Sequence, residues 1–108
     1  MTAKKKPSAR AARREAERAA VKLARDRERL AALEAGGAPE RPIDLASASE
    51  VEITARSMPC PRCGGEVRVD EHLAETIGAQ RLRIAKVFCP GCGARRSIYF
   101  RLGGLLPN

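Results

Sequence analysis

The chain has 108 residues, with 21 Lys and Arg against 13 Asp and Glu, four Cys, one Tyr, two Phe and no Trp, for a formal net charge of +8. So few aromatic residues, alongside nine Gly and seven Pro, exclude a wide core able to hold itself together, because small domains bury too little surface to offset chain entropy. No run nears the ~18 to 20 apolar residues of a membrane span, and Lys4-Lys5-Lys6 leads into charged residues rather than an apolar signal core, so a soluble, cytoplasmic protein is expected.

Charge divides the chain into three regions. Residues 1–35 carry 11 basic and 5 acidic side chains, residues 36–58 carry 2 and 4, and residues 59–108 carry 8 and 4. The first region reads as a basic helical arm. From Ser8 to Ala35 it is rich in Ala, Arg, Glu and Leu, which lose little side-chain freedom in a helix, and it lacks Gly and Pro. Ser8 is placed to cap the start, while Gly36-Gly37 and Pro39 supply the stop. Glu15 with Arg18 and Asp26 with Arg29 stand one turn apart, at ion-pair spacing. Ala12, Ala16, Ala19, Leu23, Leu30 and Leu33 make a thin apolar stripe, interrupted by Asp26, which specifies coiled-coil self-association only weakly. A solvated helix whose basic face meets an anionic surface is the better reading.

Residues 36–58 read as a flexible linker, since breakers and small polar residues fill positions 36–49. Val51, Ile53 and Ala55 then alternate with Glu52, Thr54 and Arg56, a period of two that predicts an edge strand over 51–56.

Residues 59–108 hold all four cysteines. Cys60-Pro-Arg-Cys63-Gly and Cys89-Pro-Gly-Cys92-Gly are near copies of one turn, separated by 25 residues. Two thiolates three residues apart on a tight turn can reach one metal ion while backbone N–H groups point at the sulfurs. Pro stiffens the turn, and Gly after the second Cys permits the positive φ that closes it. Two such turns give tetrahedral sulfur coordination at about 2.3 Å, the closed geometry of structural zinc. A disulfide pair suits a secreted chain, and a redox pair uses a single C-x-x-C at a helix start. Doubling the motif favours Cys60, Cys63, Cys89 and Cys92 as zinc ligands, ahead of iron or redox thiols.

This pattern resembles the zinc-ribbon superfamily, over Pro59 to Leu102. The resemblance implies β hairpins and a third strand clamped by two knuckles, a fold found in transcription factors, RNA polymerase subunits, ribosomal proteins and many small bacterial proteins; it is a likeness of fold rather than of function. The spacing is similar to that of transcript-cleavage elongation factors, whose hairpin tip carries an acidic Asp-Glu pair. Here Asp70-Glu71 stands early in the insert, far from the second knuckle, which argues against a cleavage role. Rubredoxins share the knuckle, but their aromatic-rich, acidic character is absent.

The expected fold class is therefore a small metal-stabilised β structure: a three-stranded antiparallel ribbon behind the helical arm and linker. Its strands are Glu66 to Asp70, Arg81 to Ile84, and Arg95 to Leu102. Between the first two, Glu71 to Ile77 reads as a turn of helix capped by Asp70 and ended by Gly78, or as a long hairpin tip. Val67, Val69, Leu82, Ile84, Phe88, Ile98, Phe100 and Leu102 form the expected core. Arg81, Arg83, Arg95, Tyr99 and Arg101, with Arg62 and Arg96 on the knuckles, form an expected basic face able to hold phosphates and stack an unpaired base. His72, with Glu71 and Glu75 nearby, reads as a surface residue. These features predict a non-enzymatic zinc protein that binds nucleic acid, RNA or DNA, or a ribonucleoprotein. The competing class is an interaction adaptor docked on a polymerase, a ribosome or another large complex. Four thiolates leave zinc no vacant position for catalysis.

Overall fold

A computed structural model describes residues 8–103; Lys4-Lys5-Lys6 and the end of the expected ribbon domain fall outside them. Helix α1 spans Ala9–Leu33, with the Ser8 hydroxyl accepting from the Ala11 N–H at 3.1 Å. No residue of α1 is buried.

The stretch expected to be a flexible linker is folded onto the body instead. Gly36 adopts φ +85, donates its N–H to the Arg41 carbonyl and accepts from Tyr99 N–H at 2.9 Å. Strand β1, Ile43–Leu45, follows, and then helix α2, Ser49–Ser57. The edge strand predicted over 51–56 is thus a helix. Val51, Ile53 and Ala55 satisfy a period of two, yet Val51 and Ala55 also stand one helical turn apart, and those two are fully buried while Ile53 is 63% exposed. The helix start carries a Ser-x-x-Glu signal: the Glu50 carboxylate accepts from the backbone N–H groups of Ala46 and Ser47, both at 3.0 Å.

Strands β2, Arg68–Ile77, β3, Gln80–Phe88, and β4, Arg95–Leu102, complete a four-stranded sheet of order β1-β4-β3-β2. The three antiparallel strands gain a fourth partner, because β1 pairs in parallel with β4, Ile43 opposite Phe100 and Leu45 opposite Leu102. The ribbon is therefore a mixed sheet. Between β2 and β3 the long hairpin tip is realised and the helical turn is not, since Gly78, at φ +62, turns the chain directly. A bulge at Asp70 shifts the β2 register between Val69 and Glu71.

Register also divides the expected core. Arg83 pairs with Phe100 and Ala85 with Ile98, whereas Ile84 pairs with Tyr99. Paired residues share a face. The main cluster therefore takes Ala85 and Val87 from β3, with Ile98, Phe100, Val67 and the α2 residues Val51 and Ala55. Leu82 and Ile84 are buried on the opposite face, and Val69 and Leu102 only border the cluster. Lying between two partners, β3 is apolar on both sides, which a single-face reading cannot represent.

Candidate metal centre

Each knuckle is built by the same pair of backbone bonds. Cys60 N–H donates to Gly65 O at 2.9 Å and Gly64 N–H to Cys60 O at 2.7 Å; Cys89 N–H donates to Ala94 O at 2.9 Å and Gly93 N–H to Cys89 O at 2.7 Å. Gly64 and Gly93 both sit at φ +78, the left-handed geometry expected of the Gly after each second Cys.

The knuckles meet. All four Sγ atoms lie within 4.8 Å of one another, with Cys60 to Cys92 at 3.6 Å and Cys63 to Cys89 at 3.5 Å. A disulfide requires about 2.05 Å. A tetrahedron with metal–sulfur arms of about 2.3 Å has edges of about 3.8 Å, so the sulfur cage is of a size to hold one metal ion. Cys60 and Cys89 are buried members of the main cluster, while Cys63 and Cys92 face outward.

The electrostatics of the thiols are uneven. The Cys92 backbone N–H, joined by that of Gly91, favours the Cys89 thiolate against burial and lowers its pKa to about 7. At Cys92 the Ala94 N–H acts in the same sense, but burial and the crowded sulfurs of Cys60, Cys63 and Cys89 prevail and push the thiol to about 12. Cys63 accepts from the Gly65 N–H at 3.4 Å, yet its neighbours, Cys89 foremost, hold it above the usual thiol range. Four close sulfurs resist ionising together without a cation among them.

The expected basic face does not assemble. By register Arg81 and Arg83 share the face of Phe100 and Ile98, while Arg95, Tyr99 and Arg101 share the other. Half of its guanidinium groups also have carboxylate partners within the protein. Arg101 forms a fork with Asp44, at 2.7 and 3.1 Å, which holds that carboxyl below its ordinary range. Arg95 bonds Asp70 at 3.0 Å and lies 4.8 Å over the Phe88 ring. Arg62 pairs with Glu28 of α1 at 3.6 Å. Arg96 is half-buried where α1 meets the first knuckle, and burial lowers its pKa against the opposing pull of Cys60 and Glu34.

His72 is half-buried and its Nε2 has no hydrogen-bond partner; it is not one of the clustered ligands. Among the described residues the remaining ion pair is Arg41–Glu40, so neither Glu15–Arg18 nor Asp26–Arg29 closes. No helix there is long and apolar enough to cross a membrane. Comparisons with protein-family models, curated proteins and solved structures returned no match.

The basic face expected of the arm can be placed residue by residue along α1. Arg10, Arg14, Arg18, Lys22, Arg25 and Arg29 recur every three or four residues, and all are exposed. At about 100° per residue they fall within a sector of about 120°. The last turns of α1 meet the body through Arg27, Glu28, Leu30, Ala31 and Glu34, which line clefts against Pro61 and Arg96. None of the six cations is among them, although Glu28 and Ala32, which also line these clefts, fall within the same sector of the helix.

Proposed function

We propose that this chain is a non-enzymatic, zinc-organised protein whose helix α1 engages nucleic acid, either bare or within a ribonucleoprotein. The donor set supports zinc: four thiolates in a cage of tetrahedral size suit a borderline-soft ion, and they leave it no vacant position for a substrate. One observation carries the binding reading, namely six exposed cations in a single sector of a helix that buries no residue of its own. The knuckle and sheet arginines contribute less, because Arg62, Arg95 and Arg101 already have carboxylate partners.

The adaptor reading is favoured by a different observation. Leu23, Leu30 and Leu33 are half or more exposed along α1 and would suit a protein groove. Fluorescence anisotropy of the metal-loaded chain with labelled DNA and RNA of mixed sequence separates the two. The nucleic-acid reading expects binding at low salt that weakens in R14Q/R18Q/K22Q; no binding to any of these probes at low salt overturns it.

A further inference from the structure

We propose that α1 takes the major groove of B-form duplex DNA as its site and holds it through phosphates without selecting a base sequence. This inference rests on the nucleic-acid reading above and narrows it to one partner.

Dimensions come first. From Arg10 to Arg29 the cation stripe extends about 28 Å at a helical rise of about 1.5 Å per residue. A helix with its side chains is about 10 to 12 Å across, and the B-DNA major groove is about 12 Å wide. The clefts and the ion pair that join α1 to the body involve residues from Arg27 onward, and Arg10, Arg14, Arg18, Lys22 and Arg25 are exposed before them. A surface groove on the helix is itself lined by Arg14, Arg18, Lys22 and Arg25, together with Glu17 and Val21.

Side-chain chemistry then excludes the other nucleic-acid forms. Single strands are held by aromatic rings on which bases stack. Helix α1 has no aromatic residue, Phe100 is fully buried, the Phe88 ring lies beneath the Arg95 guanidinium, and the partly buried Tyr99 stands on the sheet, off the cation stripe. Duplex RNA presents a deep, narrow major groove and a shallow minor groove marked by 2′-hydroxyls. That narrow major groove does not admit a helix of this width, and α1 contains no Ser, Thr, Asn or Gln to add to its cations at the hydroxyls. The same lack removes the amide pairings that select adenine. What remains in the cation sector is guanidinium and ammonium, with Ala11, Val21, Glu28 and Ala32 between them, while Ala12, Ala16 and Ala19 lie on the opposite side of α1.

Counterion release gives the test a number. Neutralising about six phosphates of B-DNA predicts a slope of about −5 for log Kobs against log salt, close to a 10³-fold loss between about 50 and 200 mM salt. The experiment titrates the full, metal-loaded chain against two unrelated DNA duplexes, the matching RNA duplex and one single strand. Expected are equal affinities for the two DNA duplexes within about threefold, binding of RNA and single strand at least tenfold weaker, and a slope near −5 that falls to about −3 in R14Q/R18Q/K22Q. RNA or single strand bound as tightly as duplex DNA would overturn this inference while leaving the broader reading intact. A tenfold preference between the two duplexes, or a slope unchanged by the triple substitution, would overturn it as well. Absence of binding to every probe removes the broader reading itself.

Discussion

Stripping the metal should divide the molecule, unfolding the sheet while α1 stays helical. The four sulfurs join Cys60, before β2, to Cys89 and Cys92, between β3 and β4, and two of them sit inside the main cluster. Structural zinc contributes on the order of 10 to 16 kcal/mol in small metal-folded peptides. Ordinary domains have a net stability of about 5 to 15 kcal/mol, so a loss of this size removes the fold. Helix α1 depends on none of it. It buries no residue, and its Arg62–Glu28 tie is exposed and worth no more than about 1 kcal/mol. At 25 residues, rich in Ala, Arg and Glu, it also exceeds the ~12 to 15 residues at which isolated helices are marginal. The assay removes metal with a strong chelator, verifies the loss by elemental analysis, and follows helix by circular dichroism and strands by dispersed amide resonances. We expect helical signal to persist, resonances of β3 and β4 to collapse to random-coil positions, and one equivalent of zinc to restore them. Dispersed strand resonances in verified metal-free protein would refute the reasoning.

Proton release supplies a second prediction. In the metal-free chain, where the cage is unfolded, thiols of ordinary pKa, about 8.5, carry their protons at pH 7, so binding one ion as four thiolates should release at least two. Calorimetry in buffers of different ionisation enthalpy reads that number, and fewer than two contradicts a four-thiolate centre. The sign on pH follows. Thiols held as thiolates by metal have folded pKa values far below their unfolded ones, so the stability they confer is present at alkaline pH and lost as pH falls. Gly36 and Gly78 form a matched pair for the third. Both have positive φ, but a Cβ on Gly36 would stand 2.7 Å from Ile43 Cδ1 and 3.0 Å from Ile98 Cγ2, whereas one on Gly78 meets open space. Gly78→Ala should cost about 1 to 2 kcal/mol in denaturant unfolding of the metal-loaded protein, and Gly36→Ala at least about 1 kcal/mol more. Equal costs would mean that β1 and its loop do not pack on β4 as described.

Legibility in the sequence followed the range of the interaction concerned. Ser8 and the glycines after α1 act within one or two turns, so the arm's limits could be read directly. The two C-P-x-C-G turns are likewise local, and each closes on its own backbone bonds with a Gly at positive φ. Helix α2 was also written locally, in Ser47-x-x-Glu50, but the pattern at Val51, Ile53 and Ala55 fits both periods. Only the neighbour packed against it decides which residue turns inward.

Residue order alone determined the paired cysteine turns, the basic helix and the last strand, because each is specified by spacing within a few residues, whereas it left residues 71–77 open between a helical turn and a hairpin tip. Tertiary structure decided which strand face meets which. A shift of one residue between β3 and β4 exchanges the two faces, and the observed register separates Arg81 and Arg83 from Arg95 and Arg101. It also decided that Asp44, far away in the chain, would meet Arg101 through the parallel strand β1. Such pairings are settled by the whole sheet and α2 packing at once, and no local pattern carries them.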